Sequence, residues 1–89
     1  MPERAFEIVN EKGLHARASA RFVETVEQFD ARAQVRREGL EASGDSIMGL
    51  LMLAAARGTS IEVETAGPQA DELIDALEAL ISGKFGEEM

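Results

Sequence analysis

His15 is the single histidine among 89 residues, and no other side chain in the chain is better suited to chemistry at neutral pH. Imidazole titrates near that pH, so a substantial neutral fraction offers a nucleophilic lone pair to a phosphoryl donor. Its neighbours suit an anion. Gly13 stands in the loop just before it, and Arg17, two residues on, brings a guanidinium within reach of the same anion. Where such a loop meets a helix start, the first backbone N–H groups lack intrahelical acceptors and carry partial positive charge. The amides of Ala16 and Arg17 can therefore hold a phosphate beside the ring. Gly13, His15, the Ala16 amide and Arg17 together suit a phosphohistidine.

Other readings of these residues stay open. A lone histidine at a helix start also serves as a cap or a surface residue. A zinc ion would find one histidine, no cysteine and only carboxylates to complete its ligands. Several Ser and Asp residues exist, but no spacing orders them around His15 into a hydrolytic triad. We expect no metal site and no cofactor.

A second group of residues begins at Ser46, at the predicted start of a helix, where its hydroxyl can cap an orphan amide. The residues after it, Ile47, Met48, Leu50, Leu51, Met52 and Leu53, are apolar nearly all round. A helix on one face of a small sheet cannot bury so much. Leu50 and Leu53 are assigned to the core, and Ile47, Met48 and Leu51 to an exposed patch beside His15 for partner helices. Methionine adapts to several partners there.

Periodicity supplies the elements that must position these groups. Ala5 to Val9 reads as a strand, and Asn10 to Gly13 as a loop. Leu14, Ala18, Phe22, Val26 and Phe29 recur at helical spacing, which predicts a helix from about Ala16 to Gln28. Ala31 to Arg37 alternates as a half-buried strand, Glu38-Gly39 turns the chain, and Leu40 to Ser43 returns antiparallel. Ile47 to Ala56 has helix propensity up to the stop at Arg57-Gly58. Thr59 to Thr65 alternates again and is broken by Ala66-Gly67-Pro68. Ala70, Leu73, Ile74, Leu77, Leu80 and Ile81 form the stripe of a last helix ended by Gly83. The expected class is α+β, a two-layer open-faced β-sandwich of order β-α-β-β-α-β-α. Its four-stranded antiparallel sheet carries three helices on one face.

Composition narrows the function. With 45% hydrophobic residues in 89, one modest core and one domain spanning 1–89 are expected. Without cysteine there are no disulfides or thiolate metal sites, and a reducing cytoplasm fits. The start Met1-Pro2-Glu3-Arg4 has no apolar leader, and no apolar run approaches the roughly 18 residues that span a bilayer. A soluble, non-exported monomer is expected, with no membrane partner. Nine basic against seventeen acidic side chains give a net charge of -8, which repels nucleic acid. The absence of Trp and Tyr removes a base-stacking platform as well. The Glu residues of the fourth strand and last helix, and the tail Glu87-Glu88, read as a solvated face without a role.

Gly13-Leu14-His15-Ala16-Arg17-Ala18-Ser19 resembles the active-site signature of HPr, the histidine-containing phosphocarrier family of the bacterial phosphoenolpyruvate-dependent phosphotransferase system. Asp45-Ser46-Ile47-Met48-Gly49-Leu50-Leu51 resembles that family's second signature at the expected distance, and the element order is the family's order. The likeness covers essentially the whole chain. It implies that His15 accepts phosphate from phosphorylated enzyme I and passes it to a histidine on an enzyme IIA-type domain, with Arg17 steadying the phosphate. Such a protein is a stoichiometric carrier, in sugar transport or in a regulatory branch, and has no turnover of its own. The resemblance further implies an HPr kinase/phosphorylase as partner and Ser46 as its regulatory phosphorylation site. A phosphate there adds about two negative charges beside the docking surface. One residue departs from the pattern: the family commonly has Pro where this chain has Ala18, which loosens the helix start without removing a phosphate ligand. Two other classes stand beside this one. A regulatory adaptor would act by protein binding with little phosphotransfer, and a small-molecule-binding α+β domain would need a dimer or a fused enzyme to complete its pocket.

Overall fold

Residues 1–87 are described by a computed structural model. In chain order the elements are β1 (Glu3–Glu7), α1 (Ala16–Glu27), β2 (Arg32–Arg37), β3 (Leu40–Ser43), α2 (Ile47–Met52), β4 (Ser60–Ala66) and α3 (Ala70–Ser82). A single 3-10 turn, Lys84–Gly86, follows α3. The strands form one antiparallel sheet in the order β1-β4-β2-β3, and the element order is the expected β-α-β-β-α-β-α.

Register shows how alternation becomes two unlike faces. Phe6 opposes Ile61, and Val35 opposes both Val63 and Ala42. All five side chains are buried beneath the helices. The next residues along each strand face away: Glu3, Glu64, Gln34 and Ser43 make one cross-strand row, and Ala5, Glu62, Arg36 and Glu41 another. On this open face Arg36 holds Glu3 at 2.8 Å and Glu64 at 2.5 Å. Such solvated pairs are screened and add little, against about 1.5–3 kcal/mol for each large apolar side chain buried on the other side. The helix side therefore carries the stability. There α1 contributes Phe22, Val23 and Val26, α3 contributes Leu73, Ile74, Leu77 and Ile81, and Leu50 and Leu53 complete the core as expected.

The β2-β3 hairpin closes through Glu38 (φ 49) and Gly39 (φ 82), both left-handed, as the two-residue turn that matches strand twist demands. Elsewhere the structure departs from periodicity. The first strand runs Glu3–Glu7 rather than Ala5 to Val9, although Ile8 still donates its N–H to Thr59 O at 2.8 Å. The larger correction concerns α2, which stops at Met52 with Leu53 as cap instead of running to Ala56. Ala54 takes φ 51, and Ala55 turns its carbonyl to accept the Leu14 N–H at 2.9 Å. This tertiary bond overrides the helix propensity of three alanines. It also explains Gly13: with φ 66, a Cβ there would lie 2.5 Å from Ala55 O. The 3-10 turn after α3 was not foreseen either. It buries Phe85 completely, at φ 56, between the sheet-facing helices.

Candidate functional site

The site is a junction of three segments at the start of α1. The first is the loop that ends in Gly13 and Leu14. Asn10 is fully buried, and its Nδ2 donates to Gly13 O at 2.8 Å, while the Gly13 N–H returns to Asn10 O at 3.2 Å. Leu14 is anchored in the core and bonded to Ala55. Ser19, buried one turn into α1, donates its hydroxyl to Leu14 O at 3.2 Å and its N–H to His15 O at 2.8 Å. The backbone on either side of His15 is thus fixed.

His15 is the N-cap of α1, with extended backbone (φ -76, ψ -177). Its Nδ1 accepts the Arg17 N–H at 3.2 Å. A ring nitrogen that accepts must have its lone pair exposed, so the neutral ring carries its proton on Nε2. That proton meets Oε2 of Glu87. Glu87 comes from the third segment, the chain after the Phe85 turn, and its Oε1 accepts a second bond from Asn10 Nδ2 at 3.1 Å. Desolvation by itself would raise the Glu87 carboxyl. The hydrogen bonds from Asn10 and His15, with the charges of His15 and Lys12, outweigh it and hold the carboxyl below the usual carboxylate range. The assignment of Glu87 to a solvated face is therefore corrected: its side chain is 17% exposed and bound to the histidine. Glu88 lies outside the described residues.

Positive charge gathers around this point of an acidic molecule. The Ala16 N–H, at the first helical position, has no intrahelical acceptor. The side chains of Arg17 and, one turn on, Arg21 are exposed, and among the described residues neither pairs with a carboxylate. Lys12 stands on the other flank. It lines a cleft of about 290 Å3 together with Leu14, His15, Leu51, Ala54, Ala55 and Ala56. Ala18, in the place of the family's Pro, is fully buried and leaves the first turn of α1 regular.

Ser46 is the N-cap of α2 as expected: its Oγ accepts the Gly49 N–H at 3.0 Å, and its own N–H bonds Ser43 O. Its hydrogen bonds stay between the end of β3 and the start of α2, and among the described residues none reaches His15. Of the apolar patch, Ile47 (40% exposed) and Met48 (69%) face solvent, whereas Leu51 is half-buried and lines the histidine cleft. Met52, 75% exposed, belongs to the patch too, four residues after Met48 on the same helix face. Among the described residues no cluster of His, Cys, Asp and Glu is placed to hold a metal ion, and no helix is long and apolar enough to cross a membrane. Sequence reading missed Asn10, Ser19 and Glu87. The first two carried a signal, as polar residues interrupting segments that must pack; Glu87 carried none.

The family model for the PTS HPr component phosphorylation site matches residues 2–83. The chain belongs to the HPr family. It is 49% identical over 87 residues to a phosphocarrier protein HPr of Neisseria meningitidis serogroup A, covering 98% of each chain. It is 41% identical over 87 residues to the phosphocarrier protein NPr of Escherichia coli K12, covering 97% of each. The crystal structure of HPr-C-His from Thermoanaerobacter tengcongensis superposes with a TM-score of 0.94 at 38% identity over the full length of both chains. As an HPr-family member the chain is a phosphocarrier of the phosphotransferase system. The match ends at residue 83, before the turn that brings Glu87 to His15.

Proposed function

We propose that this phosphocarrier takes its phosphoryl group on Nδ1 of His15, from phosphorylated enzyme I, and delivers it to a histidine of an enzyme IIA-type domain. One observation carries the reading: Nδ1 points its lone pair at the amide of Arg17 in the first turn of α1, and the exposed Arg17 side chain pairs with no carboxylate among the described residues. In the forward step the Nδ1 lone pair attacks phosphorus as the bond from phosphorus to the donor's atom breaks. The ring keeps its Nε2 proton and becomes cationic. The Arg17 N–H exchanges Nδ1 for a phosphoryl oxygen, and the Ala16 N–H and the Arg17 guanidinium are at hand for the others. Delivery reverses each bond. Because the cap is replaced rather than lost, α1 does not pay for the transfer with its first turn.

The apolar residues Ile47, Met48 and Leu51, joined by Met52, lie beyond the cleft and suit docking of a partner helix. Ser46 stands at the head of that patch, where a phosphate set by an HPr kinase/phosphorylase would place charge on the docking surface. We read the protein as one cytoplasmic carrier domain, monomeric in action, without cofactor.

The deciding experiment incubates the protein with phosphoenolpyruvate and a bacterial enzyme I, then reads intact mass and acid lability, with His15→Ala in parallel. An acid-labile adduct in the wild type and none in His15→Ala is expected. No adduct with several enzyme I preparations would replace this reading with a regulatory adaptor that acts by binding.

A further inference from the structure

We infer that Glu87 is a positioning residue for phosphotransfer: its carboxylate holds the Nε2 proton of His15 and so keeps the lone pair on Nδ1, the atom that attacks. The inference rests on the reading of His15 as the phosphorylated residue, and it adds a group from the far end of the chain.

Three observations converge on it. The two ring nitrogens have complementary partners, a backbone donor on Nδ1 and a carboxylate acceptor on Nε2, and only one neutral tautomer satisfies both. Next, the carboxylate is itself held: Oε1 is bonded to Asn10, whose amide is fully buried and whose other Nδ2 bond fixes Gly13 two residues before the histidine. One buried amide therefore ties the carboxylate and the histidine loop into a common frame. Its Oδ1 has no partner among the described residues, so the donor side of Asn10 sets its orientation. Finally, the chain adopts an unfavourable backbone to deliver Glu87. Lys84 (φ 59), Phe85 (φ 56) and Gly86 (φ 79) are left-handed in succession, two of them not glycine, and the buried Phe85 ring anchors the turn.

The chemistry gives this contact a purpose. As Nδ1 bonds to phosphorus the ring passes from neutral to cationic, with the positive charge shared by the Nε2–H. A carboxylate already on that N–H stabilises the charge where it develops, and stabilises it equally on the way back to the acceptor. The desolvated but ionised state of Glu87 agrees with that role.

The test pairs two readouts on Glu87→Ala and Glu87→Gln. Ring nitrogen NMR of the unphosphorylated protein, above the histidine's titration, should show the wild type with its proton on Nε2. Glu87→Ala, in which only the 3.2 Å bond from the Arg17 N–H still favours that tautomer, should gain a share of Nδ1–H, whereas Glu87→Gln, whose amide oxygen can still accept, should retain Nε2–H. The rate of phosphate transfer from phosphorylated enzyme I should fall about tenfold in Glu87→Ala and less in Glu87→Gln. An unchanged tautomer or an unchanged rate in Glu87→Ala overturns the inference. A wild type that takes no phosphate at all would fail the function proposed above, and is distinguished because the variants are then compared by the ring spectrum alone.

Discussion

Helices α1 and α2 both begin with a side-chain cap, and the two caps are built for opposite ends. Ser46 accepts the amide three residues on, at 3.0 Å, through a hydroxyl oxygen that makes no other bond among the described residues. His15 accepts the amide two residues on, at 3.2 Å, through Nδ1. The histidine bond is the longer of the two and the closer in sequence, and on the function proposed above it is given up at every transfer. What surrounds the caps differs accordingly. Ser46 leans on its own turn, whereas His15 is clamped by the Asn10 loop, by Ala55 and by Glu87. Around His15, neighbouring segments supply rigidity that Ser46 draws from its own turn.

Changes that touch one cap and spare the other sharpen this contrast. The largest expected effect is from Phe85→Ala, which empties a fully buried site and should cost about 3–5 kcal/mol in chemical denaturation. It should also free Glu87, so the His15 ring spectrum changes while the Gly49 amide at the start of α2 keeps its hydrogen-exchange protection. Gly13→Ala comes next. A methyl at φ 66 and 2.5 Å from Ala55 O should cost about 1–3 kcal/mol and slow phosphorylation, with calorimetry and adduct formation as the measures. Ser46→Ala should cost about 1 kcal/mol through its lost cap yet leave the rate of adduct formation on His15 unchanged. If that rate falls as well, the two caps are coupled and the contrast breaks. The smallest effect is on pH dependence. Because the Glu87 carboxyl is depressed in the fold, its contribution is present above the ordinary value of about 4.3 and is lost as pH falls through the depressed one. The stability gap between wild type and Glu87→Gln should therefore shrink as pH falls through the carboxylate range, as read by chemical denaturation at a series of pH values.

The same contrast marks what a sequence discloses. Helix α1 was legible because Ala18, Phe22 and Val26 repeat at the helical period and all three are buried. The hairpin was legible because Glu38-Gly39 sits between alternating segments. His15, Arg17 and Ser46 were legible as residue types placed where helices start. Ala54 to Ala56 misled, since alanine favours helix and only the distant Leu14 N–H explains why the chain leaves it. Phe85 was apolar without a period, in a turn whose left-handed backbone no local pattern announces. Glu87 lies 72 residues from His15, and one acidic residue among 17 gives no local sign of such a contact.

The basic side chains around His15 have a consequence for how partners arrive. Lys12, Arg17 and Arg21 stand at one pole of a molecule with net charge -8, whose open sheet face is ranked with glutamates. An acidic surface diffusing nearby meets positive charge at that pole of a net negative molecule, so encounters are oriented before any apolar contact forms. Collision itself is then selective, and raising the ionic strength should slow association far more than it hastens release.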